Sequence, residues 1–226
     1  MAAGGLAFTE VVDATEGAHI VRGLFSRNGM SRRVDHDATR PTLVGMDLEG
    51  HQFGTPEGRI SLIQIADETG QVYLFDVGRN CNIISSSGLK NLLTSNDVVK
   101  VMHDCRGDSS VLYNKFGIVL KNVFDTQAAQ IAVDSVRHMV PSYKKQYAAA
   151  DAIVLIRLYI EINRILSGNA KQLYQKLRDF NVYQHIHPDW VKENRKVLNK
   201  DELNCLLRNN PRMQLSNKEK KLLGYL

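Results

Sequence analysis

From Thr42 onward the chain alternates between short apolar runs and longer stretches whose apolar residues recur three and four apart. Side chains alternate across a strand but return to one face of a helix every three to four residues, so the two periods separate the element types. Strands are predicted over about 42–48, 59–66 (RISLIQIA) and 71–77 (QVYLFDV), with Glu68-Thr69-Gly70 as the turn between the last two. Residues 9–26 predict a lead-in strand and then a helix capped by Asp13 or Thr15. Ser26 to Arg40 is polar and without periodicity, and reads as a loop. Ser85–Thr94 predicts a short helix, Val98–Met102 a buried strand, and Asp104–Phe116 a helix with Asp104 as its N-cap. A brief strand at Val119–Phe124 leads to a helix capped by Asp125 or Thr126. Tyr143–Leu166 is the longest predicted helix; Gly168 and Asn169 end it, and Asn169–Phe180 forms another.

Three antiparallel-looking strands followed by alternating helix and strand predict an α/β sandwich around a mixed sheet. From Asp189 the character changes to short polar helix-like pieces (WVKENRKVL, KDELNCLL, NKEKKLLGYL). The expected division is a body over 8–180 and a basic helical extension over 181–226, packed on the body or on a partner.

Composition narrows the class. The 226 residues are 43% hydrophobic and 23% charged, ordinary for a globular domain. No apolar run approaches the roughly 20 residues that span a bilayer, and Met1–Glu10 has no basic stretch followed by an apolar core, so no membrane partner and no secretory signal are expected. Cys81, Cys105 and Cys205 are widely spaced without zinc-type pairing, which fits a reducing, intracellular and cytoplasmic setting. The net charge is +5; residues 190–226 hold nine Lys or Arg against four Asp or Glu, so the tail alone accounts for the surplus. A basic tail on a neutral body suits phosphate attraction, as in RNA, and it equally describes a solvated helix face.

The candidate chemistry begins in VGMDLEG, residues 44–50. Side chains two apart share a strand face, so Asp47 and Glu49 sit together while Met46 and Leu48 face the packing side. Two adjacent like charges are costly without a counterion, and a divalent cation is the simplest one. A strand end with two solvated acids is the alternative. The second acidic element is HDCRGD, residues 103–108, where Asp108 falls in the first turns of a helix whose dipole favours a carboxylate. The third is YAAAD, residues 147–151, where Tyr147 and Asp151 share one helix face with small residues between them.

In this order the motifs resemble those of the DEDD superfamily of 3′–5′ exonucleases, in the tyrosine-marked (DEDDy) branch to which RNase D belongs. The wording HDCRGDSSVLYNKFGIVLKNVFDTQAA is similar to Egalitarian-like exonuclease-domain proteins of animals. The resemblance runs from about Leu43 to Leu158 in motifs and more loosely beyond. It implies an RNase H-like fold with Asp47, Glu49, Asp108 and Asp151 as metal-binding catalytic carboxylates and Tyr147 as the tyrosine that orients the attacking water. Hard oxygen ligands suit Mg²⁺ or Mn²⁺, and two ions would activate water and stabilise the leaving 3′ oxygen.

The expected activity is therefore metal-dependent hydrolysis of single-stranded RNA from its 3′ end to nucleoside 5′-monophosphates. One departure weakens it. Only 21 residues (126–146) separate Asp125 from Tyr147, where members of the family carry a longer segment that walls the site. The rival expectation is a non-catalytic RNA-binding adaptor in a ribonucleoprotein with other protein components. Separately, the apolar positions of the tail suit packing on the body or on a second copy as a homodimer, which would leave its lysines solvated rather than on phosphates.

Overall fold

A computed structural model describes residues 8–34, 42–53, 57–137 and 152–183. The strands are β1 (Phe8–Val11), β2 (Thr42–His51), β3 (Arg59–Asp67), β4 (Val72–Asp76), β5 (Val98–Met102) and β6 (Val123–Asp125). The helices are α1 (Ala14–Val34), α2 (Ile83–Ser86), α3 (Leu89–Thr94), α4 (Arg106–Phe116), α5 (Thr126–Arg137), α6 (Ala152–Ile165) and α7 (Gly168–Tyr183).

The six strands form one sheet in the order β1-β4-β3-β2-β5-β6. β2 with β3 and β3 with β4 are antiparallel, whereas β1 with β4, β2 with β5 and β5 with β6 are parallel. The sheet is therefore mixed, with β2 near its centre, as the order of predicted elements implied. At the β3–β4 turn Gly70 takes φ +88°, where an L side chain would be strained. The Asp67 carboxylate accepts from the Thr69 and Gln71 N–H groups, at 2.9 and 3.1 Å, and closes that turn.

Each face of the sheet carries its own core. On one face Val44, Met46, Leu48, Ile63, Ile65 and Phe75 pack against apolar residues of α1–α4. On the other, Leu43, Val99, Val101 and Phe124 pack against α5, α6 and α7. A fully buried Leu, Ile or Phe contributes roughly 1.5–3 kcal/mol. Stripping either helical layer would thus remove more than the whole net stability of a typical domain, about 5–15 kcal/mol. Both layers are needed.

Several boundaries differ from expectation. α1 runs through Val34 rather than ending before a loop at Ser26. A helix already nucleated gains a hydrogen bond for each residue added, and the Arg and Met residues here are good helix formers, so propagation outweighs the missing periodicity. Asp13 is its cap, accepting from Thr15 and Glu16 N–H at 2.8 and 2.9 Å. The single helix expected over Ser85–Thr94 is two, broken at Gly88 with φ +80°. β6 is only Val123–Asp125, shorter than the predicted 119–124 strand. Of the predicted Tyr143–Leu166 helix, the described part is α6, and α7 begins on Gly168. Residues 184–226, which include the basic extension, lie outside the described residues. No described helix is long and apolar enough to cross a membrane.

Candidate active site

The register of β2 leaves its second half open on one side. β5 accompanies β2 only from Thr42↔Val98 to Gly45↔Val101, and β5 ends at Met102. Among the described residues, the pairing beyond Gly45 continues on the β3 side alone, with Asp47 opposite Gln64 and Glu49 opposite Leu62. Met46 and Leu48 are buried in the α1-side core, so Asp47 and Glu49 project from the opposite face, half-buried and exposed respectively. α6 packs across β2 on that layer. Glu49 Oε1 accepts from Gln64 Nε2 at 3.5 Å, at the outer limit of a hydrogen bond.

The space beyond the end of β5 is filled by the turn His103–Cys105 and the start of α4. Asp108 lies in the first turn of that helix, 7% exposed. A helix N-terminus favours a carboxylate, yet Asp108 is pushed well above the usual carboxylate range. Burial is the largest cause, followed by the charges of Asp47, Asp104, Asp125 and Glu49. Asp47 is raised too, by burial first; its contact with the Leu48 N–H lowers it, Glu49 raises it and His103 lowers it. The three acids Asp47, Glu49 and Asp108, read from two separate motifs, thus act on one another electrostatically. Tyr147 and Asp151 lie outside the described residues.

Asp104 is not the cap of α4. The N-cap position is Cys105, with no side-chain cap, and Asp104 sits at φ +53° with its carboxylate held by Arg106. Arg106 Nε and Nη2 donate to Asp104 Oδ1 and Oδ2 at 2.5 and 2.6 Å, a two-pronged pair that occupies both oxygens. The turn is held instead by the end of β6. Asp125, fully buried, accepts from the N–H groups of Asp104 (3.1 Å), Cys105 (3.2 Å), Gln127 (2.9 Å) and Ala128 (3.2 Å), and from Asn181 Nδ2 (2.8 Å). Thr126 Oγ1 donates to Met102 O at 3.0 Å and lies 2.9 Å from His103 Nδ1.

The sequence reading gave His103 no task, limited Asp125 to capping α5, and did not single out Phe53 or Asn181. Phe53 packs on Gly50, next to Glu49, and on Gly107, next to Asp108. A glycine directly beside each acidic residue was the one sequence signal that something approaches closely there.

For a divalent cation the donor chemistry fits. Asp47, Glu49 and Asp108 are hard oxygen ligands whose mutual repulsion a cation would offset. Among the described residues, no group of three or more His, Cys, Asp or Glu side chains stands close enough to enclose an ion. The resemblance assigns the fourth carboxylate to Asp151.

Residues 31–142 match the family model described as 3′–5′ exonuclease. The Egalitarian protein homolog of Caenorhabditis elegans is 36% identical over 114 residues, covering 49% of this chain and 20% of that protein. The piRNA biogenesis protein EXD1 of Xenopus laevis is 39% identical over 74 residues, covering 33% of this chain and 16% of that protein. The match therefore spans a fifth or less of either relative. Among solved structures, the catalytic core of RRP6 from Trypanosoma brucei superposes with a TM-score of 0.57 at 21% identity, over 85% of this chain and 58% of that one. Trypanosoma brucei RNase D in complex with RNA U12 gives 0.52 at 18% identity, over 90% and 80%. Brucella melitensis NrnC with bound Mg²⁺ gives 0.51 at 19% identity, over 74% and 94%. At these identities the structures share the fold alone. The family match over residues 31–142 and the Egalitarian and EXD1 relatives, on this fold, support a DEDDy-type, RNase D-like 3′–5′ exonuclease domain similar to those animal proteins.

Proposed function

We propose that the chain is a metal-dependent 3′–5′ exoribonuclease that shortens single-stranded RNA and releases nucleoside 5′-monophosphates. The observation that carries this reading is Asp108, buried in the first turn of α4, its pKa raised by that burial first, then by the charges of Asp47, Asp104, Asp125 and Glu49. Asp47, Glu49, Asp108 and Asp151 would hold Mg²⁺ or Mn²⁺. Bound there, the metal would lower the pKa of the attacking water and stabilise the leaving 3′ oxygen. Tyr147, with an ordinary phenol pKa of about 10, orients that water and is not its base. RNA as substrate is supported by the RNase D neighbour, solved with RNA, and Mg²⁺ by the NrnC neighbour.

A second reading is an RNA-binding adaptor without turnover. It is favoured by the piRNA biogenesis relatives and by the short 126–146 segment. End-labelled RNA incubated with Mn²⁺ separates the two. A ladder of shortened products that disappears in Asp108→Asn supports the nuclease; binding without shortening by the wild type supports the adaptor.

A further inference from the structure

Beside its internal Arg106–Asp104 pair, the second acidic motif is held from outside itself. Of its turn, Met102 O and His103 Nδ1 are bound by Thr126 Oγ1, and the Asp104 and Cys105 N–H groups by Asp125. One residue past Asp108, Ser109 Oγ donates to Val182 O of α7 at 2.6 Å. Asn181, beside Val182, donates to Asp125 Oδ2 at 2.8 Å and is 1% exposed. The last turn of α7 therefore grips the motif at two points: directly through Ser109, and through Asp125 at Asp104 and Cys105.

Local sequence holds this turn only in part. Asp104 adopts a left-handed backbone, its carboxylate held by Arg106 and its N–H by Asp125, and α4 begins without a side-chain cap. Asp125 needs its five donors as well, because a buried carboxylate is tolerated only when hydrogen-bonded. Asn181 is the one amide side chain among them, and the Cys105 thiol also bonds Asp125. Among the described residues the Asn181 Oδ1 is buried without a hydrogen-bond partner.

We propose that Asn181 and Ser109 are positioning residues that fix Asp108 opposite Asp47 and Glu49, making the end of α7 a working part of the cation site. This rests on the cation-binding reading of those carboxylates. The groups that support metal ligands from behind typically change affinity 10–100-fold when removed, and Asn181→Leu and Ser109→Ala remove one support each at little change in volume.

The test is calorimetric titration of the full chain with Mn²⁺ alone, well below the melting temperature of every variant, with kcat and KM for end-labelled RNA measured beside it. Asn181→Leu and Ser109→Ala are each expected to weaken Mn²⁺ at least about 10-fold, with kcat falling more than KM rises. Leu177→Ala, on the same helix, removes a fully buried side chain that takes no part in these bonds and serves as the control. If it weakens Mn²⁺ as much at an equal loss of melting temperature, the role is structural and the proposal falls. The proposal also falls if both variants bind within twofold of wild type while wild type binds, and the cation reading then survives. If wild type itself binds no Mn²⁺, the cation reading fails and takes the proposal with it. Should Asn181→Leu not fold, Ser109→Ala decides alone.

Discussion

Phe53 rests directly on Gly50: a Cβ at that glycine would stand 2.5 Å from Phe53 Cε1, and 2.0 Å from Arg59 O on the paired strand. The register of β2 on β3 shifts between Glu49 and Gly50, which brings that carbonyl so near. A ring can turn aside, but the Arg59 oxygen belongs to strand backbone. Gly50→Ala is therefore expected to destabilise by the upper part of the about 1–3 kcal/mol typical of overpacking. Chemical denaturation measures it, and an unchanged midpoint would show that the bulge relaxes freely.

Asp108→Asn should make the metal-free protein more stable while abolishing cation binding. The folded-state pKa of Asp108 is raised, by burial and then by Asp47, Asp104, Asp125 and Glu49, so at neutral pH its ionisation opposes folding. Each pKa unit relieved is worth about 1.4 kcal/mol. The sign follows from proton linkage: wild type without metal loses stability as pH rises from the unfolded value through the raised folded one. Melting temperatures in EDTA between pH 4 and pH 8 should fall less steeply in Asp108→Asn than in wild type. Equal slopes would mean that Asp108 does not carry the strain.

Lys100 predicts the opposite pH trend. It is fully buried on β5, with Nζ donating to Ser95 O and Val98 O at 2.7 and 2.9 Å. Burial lowers its pKa from 10.5 to about 7, with Asp97 opposing the shift and Lys121 adding to it. A depressed folded value means that stability is lost as pH falls from about 10.5 toward about 7. Lys100→Met should flatten that part of the stability curve. Denaturant midpoints at pH 7, 8.5 and 10 check it, and parallel curves for the two proteins would refute it.

If the lysines and arginines of residues 190–226 contact phosphates, RNA affinity falls with salt by about 0.7 in log–log slope per contact on a single strand. Removing 190–226 should then flatten the slope. A lower melting temperature with the slope intact would assign the tail to packing instead.

Where sequence and structure part company, the reason is distance along the chain. The DLE strand was legible because period two is a local property, and Val98–Met102 because the run is short and, but for Lys100, apolar. Asp104 was misread because an acid before a helix looks like a cap. Its backbone N–H is claimed by Asp125, 21 residues away, and its carboxylate by Arg106. Nothing near Asn181 marks it either, since its partner is 56 residues earlier. The acidic motifs could be read from the sequence, but the contacts that hold them from behind could not.

The Thr126 hydroxyl has a single hydrogen, and it points to Met102 O. While that hydrogen stays on Met102 O, the hydroxyl oxygen meets His103 Nδ1 at 2.9 Å through its lone pairs, an arrangement that goes with the Nδ1–H tautomer. A neutral His103 is then confined to one tautomer, with Nε2 bare and able only to accept. Beside a cluster of carboxylates, themselves acceptors, this is the one ring state that offers a basic nitrogen to a hydroxyl or a water. Thr126→Ser would preserve that choice, whereas Thr126→Val would leave the ring free to take either form.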